Sequence, residues 1–238
     1  LDLLASRNFD LVITMTKVGT MDAYAFARLV KSRHEGMPVV MLSHNTRELA
    51  TLRTGDGIDR IFVWGGDSRI LLSICKLIED ERNVENDVRD GDVQVILLVE
   101  DSRRFYSAYL PLLYTQLVRQ TTRLMGEGGN LHEKLLRLRA RAKILLASDM
   151  ETAKGIIDKY SRNIIGVFTD GRFPNQGGER DTAGLELVQH AQGGHRYLPI
   201  LLQSKNLELK EAAEGLGVRF LHKEDPTLYQ GIEEFMLE

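Results

Sequence analysis

Apolar residues fall into two alternating patterns along this chain. Short runs such as Val39–Leu42 and Val93–Val99 are apolar almost without interruption, as expected of strands buried on both faces of a parallel sheet. Between them, apolar positions recur every three or four residues, which predicts amphipathic helices. In the first part the pattern predicts strands at Leu11–Thr14, Val39–Leu42 and Ile58–Val63, and helices at Asp22–Lys31, Thr46–Leu52 and Ser68–Glu79. The last of these places Ile70, Leu71, Ile74, Leu77 and Ile78 on one face, and Cys75 is assigned to the core with them. In the second part, strands are predicted at Val93–Val99, Lys143–Ala147, Ile164–Thr169, Pro199–Gln203 and Val218–His222. A long helix runs from Ser102, a good N-cap, toward Met125. Its stripe Tyr106, Tyr109, Leu110, Leu113 and Leu117 is assigned to the core, and its far end to a homodimer contact. Further helices are predicted over Leu131–Arg139, Glu151–Lys159, Ala183–Ala191, Leu207–Leu216 and Thr227–Met236.

Strands alternating with helices imply right-handed crossovers and a parallel sheet covered on both faces. The second part has the five strands of a doubly wound α/β sheet of order 2-1-3-4-5. The first part has the last three strand–helix pairs of the same plan, so the chain reads as two divergent copies, the first incomplete. A sheet without its central first strand leaves backbone unpaired, so we expect an upstream segment to supply the missing strands. The acid-rich stretch Glu79–Asp92 is read as a fraying helix end followed by a linker. The expected domains are 1–86, a linker at 87–92, and 93–238.

Composition narrows the function classes. The chain has 238 residues, with 31 Lys and Arg against 34 Asp and Glu. Near-neutral charge gives no basis for direct nucleic-acid binding by the whole chain. No apolar stretch is long enough for a membrane span. The single cysteine excludes a disulfide framework or a cysteine zinc site, and a cytoplasmic setting is the simplest expectation. The basic residues Lys134, Arg137, Arg139, Arg141 and Lys143 are read as a solvated helix face.

Candidate chemistry collects at strand ends. In doubly wound sheets, ligands sit beyond the carboxyl ends of the strands, where the strand order reverses. Glu100 and Asp101 follow the first strand of the second part, and Asp170 follows the third, its neighbour in the sheet. Three carboxylates in one pocket repel unless a cation shares them, and Mg²⁺ suits such a set while leaving room for phosphate. The fourth strand ends at Ser204 and the fifth at Lys223, adding a hydroxyl and an ammonium to the same rim. Acids, hydroxyl and ammonium together make a phosphate site.

The segments VILLVEDS (Val95–Ser102), FTDGRFP (Phe168–Pro174), AGLELV (Ala183–Val188), ILLQS (Ile200–Ser204) and FLHK (Phe220–Lys223) resemble the receiver domain of two-component response regulators. The resemblance implies a flavodoxin-like fold and a signalling module rather than an enzyme, phosphorylated by a sensor histidine kinase or a phosphotransfer protein. It makes Asp170 the phosphoacceptor, and Glu100, Asp101, Asp170 and the backbone carbonyl of Arg172 the Mg²⁺ ligands. Lys223 is then the phosphate-binding lysine, with Ser204 and Phe220 as the switch pair. Two departures stand out: Glu224 and Asp225 separate Lys223 from Pro226, and NQGGERDT (175–182) lengthens the loop after Asp170. The first part resembles the second half of a degenerate receiver. Met15 stands at the acceptor position and Trp64 at the lysine position, while Ser43 is retained. Segments such as YLPLLYTQLVRQTTRLM and LLRLRARAKILLAS are similar to receiver regions attached to phosphoenolpyruvate synthase or pyruvate phosphate dikinase-like enzymes. The alternative that follows is a regulatory module of such an enzyme that is never phosphorylated.

Overall fold

The computed structural model describes residues 2–126, 141–175, 178–194 and 197–237. The chain divides into two units: Leu1–Ile78 with Arg103–Pro111, and Glu79–Ser102 with Leu112–Glu238.

The first unit is built on three parallel strands, β1 (Val12–Met15), β4 (Val39–Ser43) and β5 (Arg60–Val63), in the order β1-β4-β5. A two-residue-per-arm hairpin, β2 (Lys17–Val18) and β3 (Met21–Asp22), follows β1. The central β4 is buried at every position, which explains its unbroken apolar run. The Ala23–Arg33 helix starts where Asp22 accepts a hydrogen bond from the Ala25 amide at 2.9 Å. Its Ala23, Ala27 and Val30 pack on Val39, Met41, Ile58 and Ile61. Gly57, at φ +89°, lies so close to this helix that a Cβ would stand 2.9 Å from the Ala27 carbonyl carbon. The outer edge of β5 is covered by the first turns of the Arg103–Gly126 helix. The Tyr106 hydroxyl donates to the Ile61 carbonyl, and the Val63 amide donates to Ser107 Oγ at 2.9 Å.

The second unit has the expected five-stranded parallel sheet. Its strands are β6 (Val95–Val99), β7 (Lys143–Ala147), β8 (Ile164–Asp170), β11 (Ile200–Ser204) and β12 (Arg219–His222). Their order, β12-β11-β8-β6-β7, is the 2-1-3-4-5 arrangement read in reverse and defines a flavodoxin-like doubly wound fold. Strands β6, β7 and β11 show no alternation of buried and exposed positions, being buried throughout. On one face Leu97, Val99, Leu145, Val167 and Leu202 pack against Ala153, Ile157, Leu187 and Ala213 of the covering helices. The cross-strand row Leu98, Phe168 and Leu201 faces the other way. There Phe168 meets Phe235 of the Leu228–Phe235 helix edge-on, with ring centroids 5.0 Å apart.

Several expectations are corrected. Glu79–Asp92 is no frayed end with a linker: one helix runs from Arg69 to Gly91. Val84 is buried and Val88 packs on the second unit's core, so the helical period continues through the charged stretch. Cys75 is exposed, because it lies one residue beyond buried Ile74 and points outward as Leu72 does. Arg141 and Lys143 are buried rather than solvated. Asp80, fully buried, accepts from Arg141 at 2.6 and 3.0 Å, from the Tyr114 hydroxyl at 2.9 Å and from the Ile144 amide at 3.0 Å. Lys143 pairs with Asp87 at 2.6 Å. Thr46–Leu52 contains only a 3₁₀ turn at Glu48–Ala50. The lengthened loop holds a hairpin of β9 (Phe173–Asn175) and β10 (Gly178–Arg180). The predicted Leu131–Arg139 helix, with Lys134, Arg137 and Arg139, lies outside the described residues. Among the described residues no helix is long and apolar enough to cross a membrane.

Candidate functional site

Strand pairing brings the predicted residues to one rim of the second unit's sheet. Glu100 continues β6, its amide held by the Ala147 carbonyl at 2.9 Å. Asp170 ends β8, next to it in the sheet. Lys223 follows β12, its amide held by the Ser204 carbonyl at 2.9 Å. Its side chain reaches across to both acids: Nζ lies 2.6 Å from Glu100 Oε2 and 2.6 Å from Asp170 Oδ2. Glu100 also accepts from the Ser102 amide at 3.0 Å. Asp101 joins the cluster, so that Glu100, Asp101 and Asp170 each present a carboxylate oxygen within 4.8 Å of the others.

Two glycines permit this crowding. A Cβ on Gly184 would stand 2.4 Å from the Asp170 carbonyl oxygen, and one on Gly171 would stand 2.8 Å from Ser204 Oγ. The Gly171 amide donates to the Gln203 carbonyl at 2.7 Å, and the Gly184 amide to the Gly171 carbonyl at 3.0 Å. The backbone after Asp170 is thus fastened to β11 and to the first turn of the Ala183–Gly194 helix.

Burial dominates the electrostatics. It pushes the Glu100 carboxyl up to about 8; the Lys223 ammonium opposes the rise and Asp170 adds to it. Glu100 and Asp170 are buried and Asp101 is half-buried, so the cluster meets solvent at Asp101. Three hard oxygen donors gather at one point, an arrangement that fits a divalent cation such as Mg²⁺.

The remaining predicted residues lie around this point. Ser204 is buried, and its Oγ accepts from the Asn206 amide at 3.0 Å. The Arg172 side chain turns to Asp181 at 3.4 Å. Phe220 is half-buried on β12 and packs on the core cluster. It lies across from Leu202, on the opposite face of the sheet from Leu221 and Gln203. With no proline directly after Lys223, Asp225 closes the turn, accepting from the Thr227 amide at 2.8 Å and its hydroxyl at 2.7 Å.

The first unit repeats this scaffold without its charges. Trp64 donates its amide to the Ser43 carbonyl at 2.8 Å, as Lys223 does to Ser204. The Asn45 amide bonds Ser43 Oγ at 3.2 Å, as Asn206 bonds Ser204. The Arg47 amide bonds Asn45 Oδ1 at 3.0 Å, as Glu208 bonds Asn206 at 3.0 Å. Thr14 donates to the carbonyl of Met15 and Thr169 to that of Asp170. Sequence reading missed the Ser-x-Asn turn that both units share, although it is visible as SHN and SKN.

No family model and no curated protein matches the chain. Among solved structures it is similar to the crystal structure of a response regulator receiver protein from Sinorhizobium medicae WSM419, at 18% identity and a TM-score of 0.37. The similarity covers 61% of this chain and 98% of that one.

Proposed function

We propose that the second unit is a phosphorylatable signalling module whose acceptor is Asp170. The observation that carries this reading is the Lys223 ammonium, 2.6 Å from both Glu100 and Asp170 at the rim where strand order reverses. In the reaction an Asp170 oxygen attacks the phosphorus of a phosphohistidine or a small phosphodonor. The new O–P bond forms as the bond to the leaving group breaks, and the leaving group keeps its electron pair. Lys223 stays beside the acceptor and balances charge on the phosphoryl oxygens, and the Ser204 hydroxyl donates to one of them. Glu100, Asp101, Asp170 and the Arg172 carbonyl are the ligands for Mg²⁺, which neutralises phosphoryl charge when bound. Movement of Ser204 toward the phosphoryl group leaves room for Phe220 to turn in and repack the β12 side of the unit.

The phosphodonor is a sensor histidine kinase or phosphotransfer protein in the cytoplasm. In the first unit, Met15 cannot accept a phosphoryl group and Trp64 cannot balance one, so that unit serves as a binding surface. The shared turn geometry supports reading the two as tandem receivers. The sequence segments quoted above connect the pair to a phosphoenolpyruvate synthase-like protein, with this chain as its regulatory part.

The test is labelling by acetyl phosphate with Mg²⁺. One acid-stable, base-labile phosphoryl group per chain is expected, lost in Asp170→Asn and on chelation of the metal. Equal labelling of Asp170→Asn rejects the assignment.

A further inference from the structure

Gln203 is completely buried, and neither its amide nitrogen nor its carbonyl oxygen has a hydrogen-bond partner. A buried amide left in that condition costs stability, because folding strips it of water and returns nothing. An apolar side chain avoids this cost, and the first unit has one at the equivalent place. In the two registers Met15 pairs with Leu42 as Asp170 pairs with Gln203, and Leu42 is likewise buried. The polar residue is therefore found in the unit with the carboxylates and the ammonium, and leucine in the unit without them.

Its position explains why. Cross-strand partners share a face, so Asp170, Gln203 and Leu221 project to one side of the sheet. Glu100 and Lys223, two residues beyond Leu98 and Leu221, project to the same side. Strand β11 lies between β12, which carries Lys223, and β8, which carries Asp170. With strands about 4.8 Å apart, the Lys223 side chain has to pass over the end of β11, where Gln203 sits. Lys223 holds both Glu100 and Asp170 here. Once those carboxylates take up other partners, an ammonium N–H needs a new acceptor.

We propose that Gln203 is a positioning residue for Lys223: its carboxamide oxygen accepts that N–H in the phosphorylated state and aims the ammonium at the phosphoryl oxygen. The proposal rests on the phosphoacceptor reading and adds to it a residue that touches neither phosphate nor metal.

The test compares the full chain with Gln203→Leu, using beryllofluoride as the phosphoryl mimic. Without ligands the variant should fold and be at least as stable as the parent in urea. Its affinity for Mg²⁺ alone should change by less than about twofold, while Mg²⁺-dependent beryllofluoride affinity should fall about tenfold or more, the worth of a hydrogen bond to a charged group. In a Lys223→Met background the same substitution should cost nothing further. Equal beryllofluoride affinity in parent and variant overturns the proposal, as does a variant that cannot fold, since the amide would then be structural. A parent chain that binds no beryllofluoride overturns the phosphoacceptor reading itself, a result distinct from equal binding.

Discussion

Glu100 carries the plainest single-residue prediction. In the unfolded chain its carboxyl titrates near 4.5, whereas in the folded protein burial raises it to about 8. Folding therefore takes up a proton between those values. The resulting stability is complete below about pH 4.5 and is lost as the pH climbs through about 8. In chelator, urea unfolding should show this loss across that window, and Glu100→Gln should flatten it. An unchanged pH slope in that variant shows that Glu100 is not the group responsible. The site's acids, hydroxyl and lysine were legible because each stands one or two residues after an apolar run. The burial of the Gln203 amide was not, because nothing in ILLQS tells which way an alternating side chain points. Arg141 and Lys143 misled for the same reason. A basic run looks solvated until the acids that neutralise it, Asp80 and Asp87, are brought beside it from a distant helix.

Among the elements, strands were the most legible, since unbroken runs such as VILLV and KILLA are buried at every position. Two features escaped. The Arg69–Gly91 helix was cut short by its acidic composition, although Leu77, Val84 and Val88 keep helical spacing through it. The hairpin of β9 and β10 was hidden by Pro174 within a strand, a position open only because the hairpin has just two strands and hence two free edges. Its arms are steadied by Glu186, which accepts from Asn175 at 3.0 Å and lies 3.5 Å from Arg180. The helix matters to stability through Asp80. Burial and the Asp80 carboxylate hold the Tyr114 hydroxyl well above its ordinary ionisation range, and Asp80 keeps Arg141 charged against the burial that disfavours it. Replacing one partner of a buried pair costs about 3–5 kcal/mol, because the other is left uncompensated. Asp80→Asn should lose about that much in urea unfolding, and the joint change Asp80→Leu with Arg141→Met should recover most of it. A single variant as stable as the parent would mean that Arg141 finds another partner.

For the molecule as a whole, the two units share turn geometry and differ in what their strand ends carry. The turns, carbonyl acceptors and order of the three matching strands are alike in the first unit, where Met15 and Trp64 stand at the strand ends that carry Asp170 and Lys223 in the second. The boundary between the units was less visible, since Glu79–Gly91 belongs with the second sheet while sitting in one helix with the first unit's residues. A fragment starting at residue 93 lacks Asp80 and Asp87, leaving Arg141 and Lys143 without them. It should unfold at markedly lower urea than a fragment starting at residue 79, by about the cost of a broken buried pair, roughly 3–5 kcal/mol. Equal midpoints would place the boundary after the helix. The Tyr106 and Ser107 hydroxyls occupy the Ile61 carbonyl and the Val63 amide on the rim of β5. That rim therefore offers these groups to no visiting chain, so fibrillar self-association through β5 has to begin by pulling two hydroxyls away from it.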